Sequence, residues 1–242
     1  MISEKISQYW RVSVVEVTGS TQDDIARSVN DKKAQSGDVI ATEYQSAGRG
    51  RLDRKFDAPA SSALMFSLYI EPRREKSDWS FLTLLTGMSA IFALTALDPE
   101  STPTLKWPND ILMGSGKVGG IIAQASDDGV IIGVGINVGM TEAELPVAHA
   151  TSLSLHDFSN LNRNLILASF LNTFEDLLQR WQSGEDLRHL YCEYSATIGQ
   201  EVRIEHPDGS HKNGKAVGIT PTGELILEDG SRVTVGDIVH LR

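Results

Sequence analysis

Only one cysteine, Cys192, stands in the 242 residues. No intrachain disulfide can form, which agrees with a reducing compartment, and a thiol between Tyr191 and Tyr194 on an expected helix serves packing. Long apolar runs are also missing. None approaches the roughly 20 residues that span a bilayer, and the first five residues, Met-Ile-Ser-Glu-Lys, carry no apolar leader. A soluble, cytoplasmic protein without a membrane partner is the expectation. Positive charge is scarce: 22 Lys and Arg face 32 Asp and Glu, for a formal net charge of -10. That balance argues against nucleic acid as a general partner. The six histidines include no i, i+4 pair, so no metal held by protein ligands alone is expected. Solenoid repeats and low-complexity linkers are absent too.

What remains is enough for a real core. Hydrophobic residues make up 40% of the chain, and its length suits one sizeable domain plus a small one at roughly 100 to 200 residues per domain. The β-branched run 11–17 reads as a strand, ended by Thr18-Gly19. Ser20-Thr21 then opens a helix with Asp23 and Asp24 in its first turn, so the plain role of either hydroxyl is to cap that helix.

Scarce as it is, positive charge gathers in one place. Gln45-Ser-Ala-Gly48-Arg49-Gly50-Arg51-Leu-Asp-Arg54-Lys55-Phe56 holds four cations within seven positions, between expected strands at 38–44 and 63–70. Glycines leave the backbone free to fold around a ligand, and the local charge is opposite to that of the chain. The segment is a solvated basic turn, a nucleic-acid contact or a loop for a small anion. A second dense cluster is Leu105-Lys106-Trp107-Pro108-Asn109-Asp110. Pro108 biases Trp107 toward extended geometry, which puts Lys106 at a strand end, aimed by a stiff turn. The plain alternative is a hairpin whose Trp packs and whose Asn-Asp closes the turn.

Gly116-Lys117-Val118-Gly119-Gly120 then enters a strand. Ile111 and Val118 occupy positions where a nucleoside-triphosphate P-loop needs Gly and Ser or Thr, which excludes that motif. Glycines 119 and 120 suit close approach by a ligand or by other backbone. The run 129–139 is an apolar, glycine-punctuated strand with Asn137 as its one polar side chain, to be met by backbone or by a ligand. Residues 79–97 read as a buried scaffold helix, 142–158 as a polar connection, 162–181 and 185–194 as further helices. From Gly199 the period changes to four or five short strands with turns at Pro207-Asp-Gly-Ser, Pro221-Thr-Gly and Asp229-Gly-Ser, expected to form a small β-barrel packed on the main domain.

Gln45-x-x-Gly48-Arg49-Gly50-Arg51, Lys106-Trp107-Pro108-Asn109-Asp110, Lys117-Val118-Gly119-Gly120-Ile121 and Gly133-x-Gly135-x-Asn137, in this order and spacing, closely resemble the biotin protein ligase family. The resemblance spans nearly the whole chain. It implies an α+β fold: a mixed or antiparallel central sheet flanked by helices, like the catalytic domain of class II aminoacyl-tRNA synthetases, over residues 1–196, and an SH3-like β-barrel over 197–242. It also implies ATP-dependent activation of biotin to biotinyl-5′-AMP with release of pyrophosphate, then transfer to one lysine of a biotin carboxyl carrier domain. Mg²⁺ would come with ATP. By the same resemblance Lys106 and Arg51 are the catalytic cations. Ser20, Thr21, Gln22, Gln45, Gly48, Arg49, Gly50, Arg51, Lys106 and Gly119 face biotin, and Arg51, Arg54, Lys106, Asn109, Lys117 and Asn137 face the adenylate. The chemistry demands such a set: a carboxylate attacking an α-phosphate needs fixed cations, and the reactive anhydride needs a loop that closes over it.

Two departures stand out. Phe56 replaces a frequent Trp, and no Trp near Thr151-Ser152 offers a face for adenine. Only about ten residues precede the first strand, too few for the winged helix-turn-helix of repressor-type members. Alternatives are a lipoate or octanoate ligase of related fold, whose glycine-rich arginine motif is not found here, and a non-catalytic biotin-responsive regulator. Monomer and homodimer both remain open.

Overall fold

The computed structural model describes residues 6–51, 54–147, 149–206 and 209–241. Leu52-Asp53, within the Gly-Arg stretch, and Pro207-Asp208, within one expected turn, lie outside them, as do the first five residues discussed above.

Among the described residues, twelve strands and four α-helices follow in the order β1 (Arg11–Thr18), α1 (Thr21–Asn30), β2 (Asp38–Gln45), β3 (Ala63–Ile70), α2 (Phe81–Leu97), β4 (Pro103–Lys106), β5 (Asp110–Met113), β6 (Gly116–Ala125), β7 (Val130–Asn137), α3 (Arg163–Gln182), α4 (Arg188–Glu193), then β8 (Glu201–Glu205), β9 (His211–Ile219), β10 (Leu225–Leu227), β11 (Arg232–Val233) and β12 (Asp237–His240). The first seven strands make one mixed sheet in the order β1-β2-β3-β7-β6-β5-β4. Only β1 and β2 run parallel, as their connection through α1 allows; the other pairs are antiparallel.

The central strands β3 and β7 are buried along their whole lengths, which explains their continuous apolar runs. Their two faces meet different layers. Leu64, Phe66, Leu68 and Ile70 of β3, with Val130, Ile132, Val134 and Ile136 of β7, join the main core beneath α2 and α3. α2 is apolar nearly all round because it lies between the sheet and α3. On the opposite face, Tyr69 and Ile131 pack under Ile25 of α1. α1 is only ten residues long. The rest of that face, floored by Ser67, Gly120, Gly133 and Gly135, carries no helix, and the functional cavity opens there.

α3 begins where Asn162 accepts from the amides of Asn164 and Leu165, a cap readable in the sequence. The helix expected over 185–194 is shorter because Asp186 takes the Arg188 amide and starts it late. The C-terminal strands form an antiparallel sheet in the order β11-β10-β9-β8-β12. Here the expectation of a barrel is corrected: among the described residues no pairing joins β11 to β12, and β11 is only two residues long. Val202, Ile204, Leu225 and Ile238 of this sheet belong to the same core cluster as α2 and α3. No helix among the described residues is long and apolar enough to cross a membrane.

Candidate active site

A cavity of about 480 Å³ lies over the glycine floor. Gly120 pairs with Gly135, and Ile122 with Gly133, so neighbouring strands lower the surface together. A Cβ on Gly135 would sit 2.6 Å from the Phe56 ring, and one on Gly133 would sit 2.7 Å from Gln22 Oε1. The glycines of this strand thus admit a side chain from the basic loop and one from α1.

At one end lies a polar nest built by the start of α1. Ser20 occupies the cap position yet makes no capping bond; its hydroxyl is buried and has no partner among the described residues. The Gln45 side chain takes over the helix end, accepting from the Thr21 amide at 2.8 Å and from Thr21 Oγ1 at 3.1 Å. Thr21 Oγ1 also lies 2.8 Å from Ser67 Oγ, which donates to Gln22 Oε1 at 3.2 Å, while Gln22 Nε2 donates to the Ile131 carbonyl. Ser67 was not singled out in the sequence, although it is the only polar residue before Tyr69 in the run Ala63-Leu-Met-Phe-Ser. The Gln45 amide nitrogen meets only the Met65 sulfur, at 3.6 Å. The unpartnered hydroxyl of Ser20 and the weakly used amide of Gln45 leave donors and acceptors for a neutral polar ligand.

The basic loop closes the other side. Gly50 N–H donates to the Arg54 carbonyl at 2.7 Å, and Phe56 N–H donates to the Gly48 carbonyl at 3.0 Å, so the described loop residues carry a small hairpin. Gly48 does not line the cavity. A Cβ there would stand 2.3 Å from the Phe56 carbonyl oxygen, which makes its role one of backbone approach. The other expected site residues all line it: Ser20, Thr21, Gln22, Gln45, Arg49, Gly50, Arg51, Arg54, Lys106, Asn109, Lys117, Gly119 and Asn137.

Most of its cations are already engaged. Arg49 pairs with Asp23 at 2.6 Å, Lys117 with Asp110 at 2.5 Å, and Arg54 with Asp237 of β12. Arg51 lies 3.6 Å from Asp237 and donates to Asn109 Oδ1 at 2.9 Å, while Asn109 Nδ2 donates to the Ile121 carbonyl. Burial lowers the Arg51 pKa, and Asp237 and Asp110 oppose that shift. Two lysines differ: among the described residues no carboxylate or hydrogen-bond partner meets the ammonium of exposed Lys55 or of half-buried Lys106. At the end of β4 half-buried Lys106 stands between buried Leu105 and, just past the strand, buried Trp107, which turns the lysine toward the cavity. Trp107 packs in the core and Pro108 follows in a cis peptide. The hairpin reading and the aimed lysine both hold. Asn137 Nδ2 donates to the Thr151 carbonyl at 2.8 Å, so backbone meets its amide. Asp237, 183 residues from Arg54, was not visible as a site residue in the sequence.

Residues 14–140 match the model of the biotin/lipoate A/B protein ligase family, and residues 197–241 match that of the biotin protein ligase C-terminal domain. The chain is 35% identical to the biotin–[acetyl-CoA-carboxylase] ligase of Mycobacterium tuberculosis, over 96% of this chain and 90% of that one. It is 30% identical to a bifunctional ligase/repressor of Bacillus subtilis, over 88% of this chain and 68% of that one. Its structure superposes on the Aquifex aeolicus biotin protein ligase in complex with biotin and ATP with a TM-score of 0.81 at 25% identity, covering 96% of this chain and 99% of the other. These matches cover both sheets and the cavity between them, and the chain belongs to the biotin/lipoate A/B protein ligase family.

Proposed function

We propose that this chain is an ATP-dependent biotin protein ligase. It joins biotin to ATP as biotinyl-5′-AMP, releasing pyrophosphate, and then passes the biotinyl group to a lysine of a biotin carboxyl carrier domain. The observation that carries the assignment of roles is the unpaired ammonium of half-buried Lys106 in a cavity that Ser20, with its orphan hydroxyl, also lines. A neutral ring with donors and acceptors fits the nest of Ser20, Thr21, Gln22 and Gln45. Its carboxylate then extends along the glycine floor beneath Arg49 and Gly50 toward Lys106.

In the first step a carboxylate oxygen attacks the α-phosphorus as the bond to pyrophosphate breaks. Two anions meet, so negative charge concentrates between them. Lys106 supplies a fixed cation at that point, and Arg51 and Arg54 exchange Asp237 for phosphate oxygens. Lys117 and Asn109 lie on the nucleotide side, where Asn137 keeps its carbonyl oxygen for adenine. Among the described residues no group of three His, Cys, Asp or Glu could hold a metal, and Asp110 and Asp237 are spent on cations. Mg²⁺ bound to ATP would neutralise the charge of the leaving pyrophosphate. In the second step the carrier lysine, as a free amine, attacks the acyl carbon and AMP departs.

Residues 1–196 form the ligating domain. Residues 197–242 form an SH3-like unit that supplies Asp237 to the site. The loop orders further over the adenylate and keeps water from it. The decisive experiment is biotin-dependent exchange of pyrophosphate into ATP. Lys106→Ala is expected to lose it by about 10²-fold or more while its melting temperature stays unchanged. Near-normal pyrophosphate release by that variant would remove Lys106 from the role given to it.

A further inference from the structure

β4 is the last strand of the seven-stranded sheet, so one of its edges pairs with β5 and the other has no strand of the sheet beside it. Backbone groups along a strand point alternately to its two sides. Lys106 pairs with Asp110 across the β5 side, and Leu105 and Trp107 turn their amides to the outer edge. An edge of this kind is ordinarily loose. Here the segment joining α4 to β8 covers it. Leu105 N–H donates to the Tyr194 carbonyl at 2.9 Å, and Ala196 N–H donates to the Leu105 carbonyl at 2.8 Å.

The next bond is of another kind. Trp107 N–H donates at 3.1 Å to Thr197 Oγ1, a side chain standing where a strand would offer a carbonyl. Thr197 is fully buried, and its hydroxyl lies 3.4 Å from His240 Nε2 on β12. The hydroxyl can thus accept from Trp107 while its own hydrogen points to the imidazole. Pro108 has no amide hydrogen, so the Trp107 amide is the last main-chain donor before the turn that Lys106 precedes. Both sequence neighbours of Lys106 are therefore pinned by residues 194–197.

We infer that Thr197 is a positioning residue for Lys106: its buried hydroxyl holds the Trp107 amide, and through it the strand end that aims the ammonium group. This rests on the role proposed for Lys106 and extends it to a residue outside the cavity lining. The catalytic strand is then held in register by the start of the C-terminal unit, which makes that unit part of the adenylating machinery. A buried threonine with only a packing role would lower stability when altered and leave turnover of the folded enzyme alone.

The test compares the whole enzyme with Thr197→Val, which keeps the shape and deletes the acceptor, and with Thr197→Ser, which keeps the acceptor. Biotin-dependent ATP–pyrophosphate exchange is measured well below each melting temperature. For Thr197→Val a fall in kcat of about tenfold is expected with KM for biotin changed by less than about twofold, since a misaimed cation costs the transition state more than binding. Thr197→Ser should restore kcat to near the wild-type value. If Thr197→Val does not fold, Thr197→Cys replaces it with a weaker acceptor of similar shape, and its kcat should fall between those of the serine variant and an inactive enzyme. A folded valine or cysteine variant with wild-type kcat overturns the inference, as does a loss of kcat that serine fails to restore. No exchange by the wild-type enzyme would instead overturn the ligase reading itself.

Discussion

Ser20 stands at the first turn of α1, where a hydroxyl ordinarily accepts from the helix amides, and the Gln45 side chain takes that place instead. Leaving a buried hydroxyl unpartnered costs the folded protein about 1 to 3 kcal/mol. Ser20→Ala should therefore keep or raise the melting temperature while weakening biotin binding by about tenfold, read by calorimetric titration. A lower melting temperature with unchanged affinity would restore the capping role. Gly119 presents the opposite case. A Cβ there would meet the Gly135 carbonyl oxygen at 2.7 Å, an atom of the sheet backbone that cannot swing away. Gly119→Ala should cost about 1 to 3 kcal/mol in denaturant unfolding before any effect on ligand is considered, and unchanged stability would show that β6 and β7 can part there.

At the level of elements, the described residues of the basic loop pair as a hairpin whose arginines are held by carboxylates from two places: Arg49 by Asp23 on α1, and Arg51 and Arg54 by Asp237 on β12. Phosphate competes for the same arginines, so biotin with ATP should slow proteolysis within residues 49–55, whereas equal cleavage with and without ligand would count against closure. The strands and helices were readable because their patterns are local: the β-branched run of β1, the Asn162 cap, the proline that fixes the end of β4. Partnerships across the chain were not. Asp237 sits in a short polar-apolar strand like any other, and nothing near it announces Arg54. Ser67 carried a weak signal, one small hydroxyl among the apolar residues of its strand, that has meaning only once β3 is known to floor a cavity. The open C-terminal sheet was misjudged for a related reason. Hairpin spacing reports neighbouring strands, whereas closure depends on how the two outer ones meet.

For the whole molecule, one continuous core joins α2, α3 and the C-terminal sheet, so the two units should unfold together. His240 on β12 makes that stability depend on pH. Burial, and then the nearby charge of Lys106, hold its pKa below the ordinary value of 6.5. The unfolded chain thus binds this proton more readily than the folded one. The stability present above about pH 6.5 should be lost as pH falls through the depressed folded pKa, and His240→Gln should lack that part of the slope. Equal slopes for the two proteins between pH 5 and 7, on the order of the range where histidine titrates, would place the effect elsewhere.

The proposed ligase chemistry requires Lys106 and the loop arginines to converge on the junction between a vitamin's carboxylate and a nucleotide. Incubation with radiolabelled biotin, ATP, Mg²⁺ and a biotin carboxyl carrier domain, scored for covalent label, tests it most directly. ATP-dependent labelling of one carrier lysine is expected from the wild-type enzyme and almost none from Lys106→Ala. Equal labelling by both proteins, or transfer of lipoate in place of biotin, would contradict it.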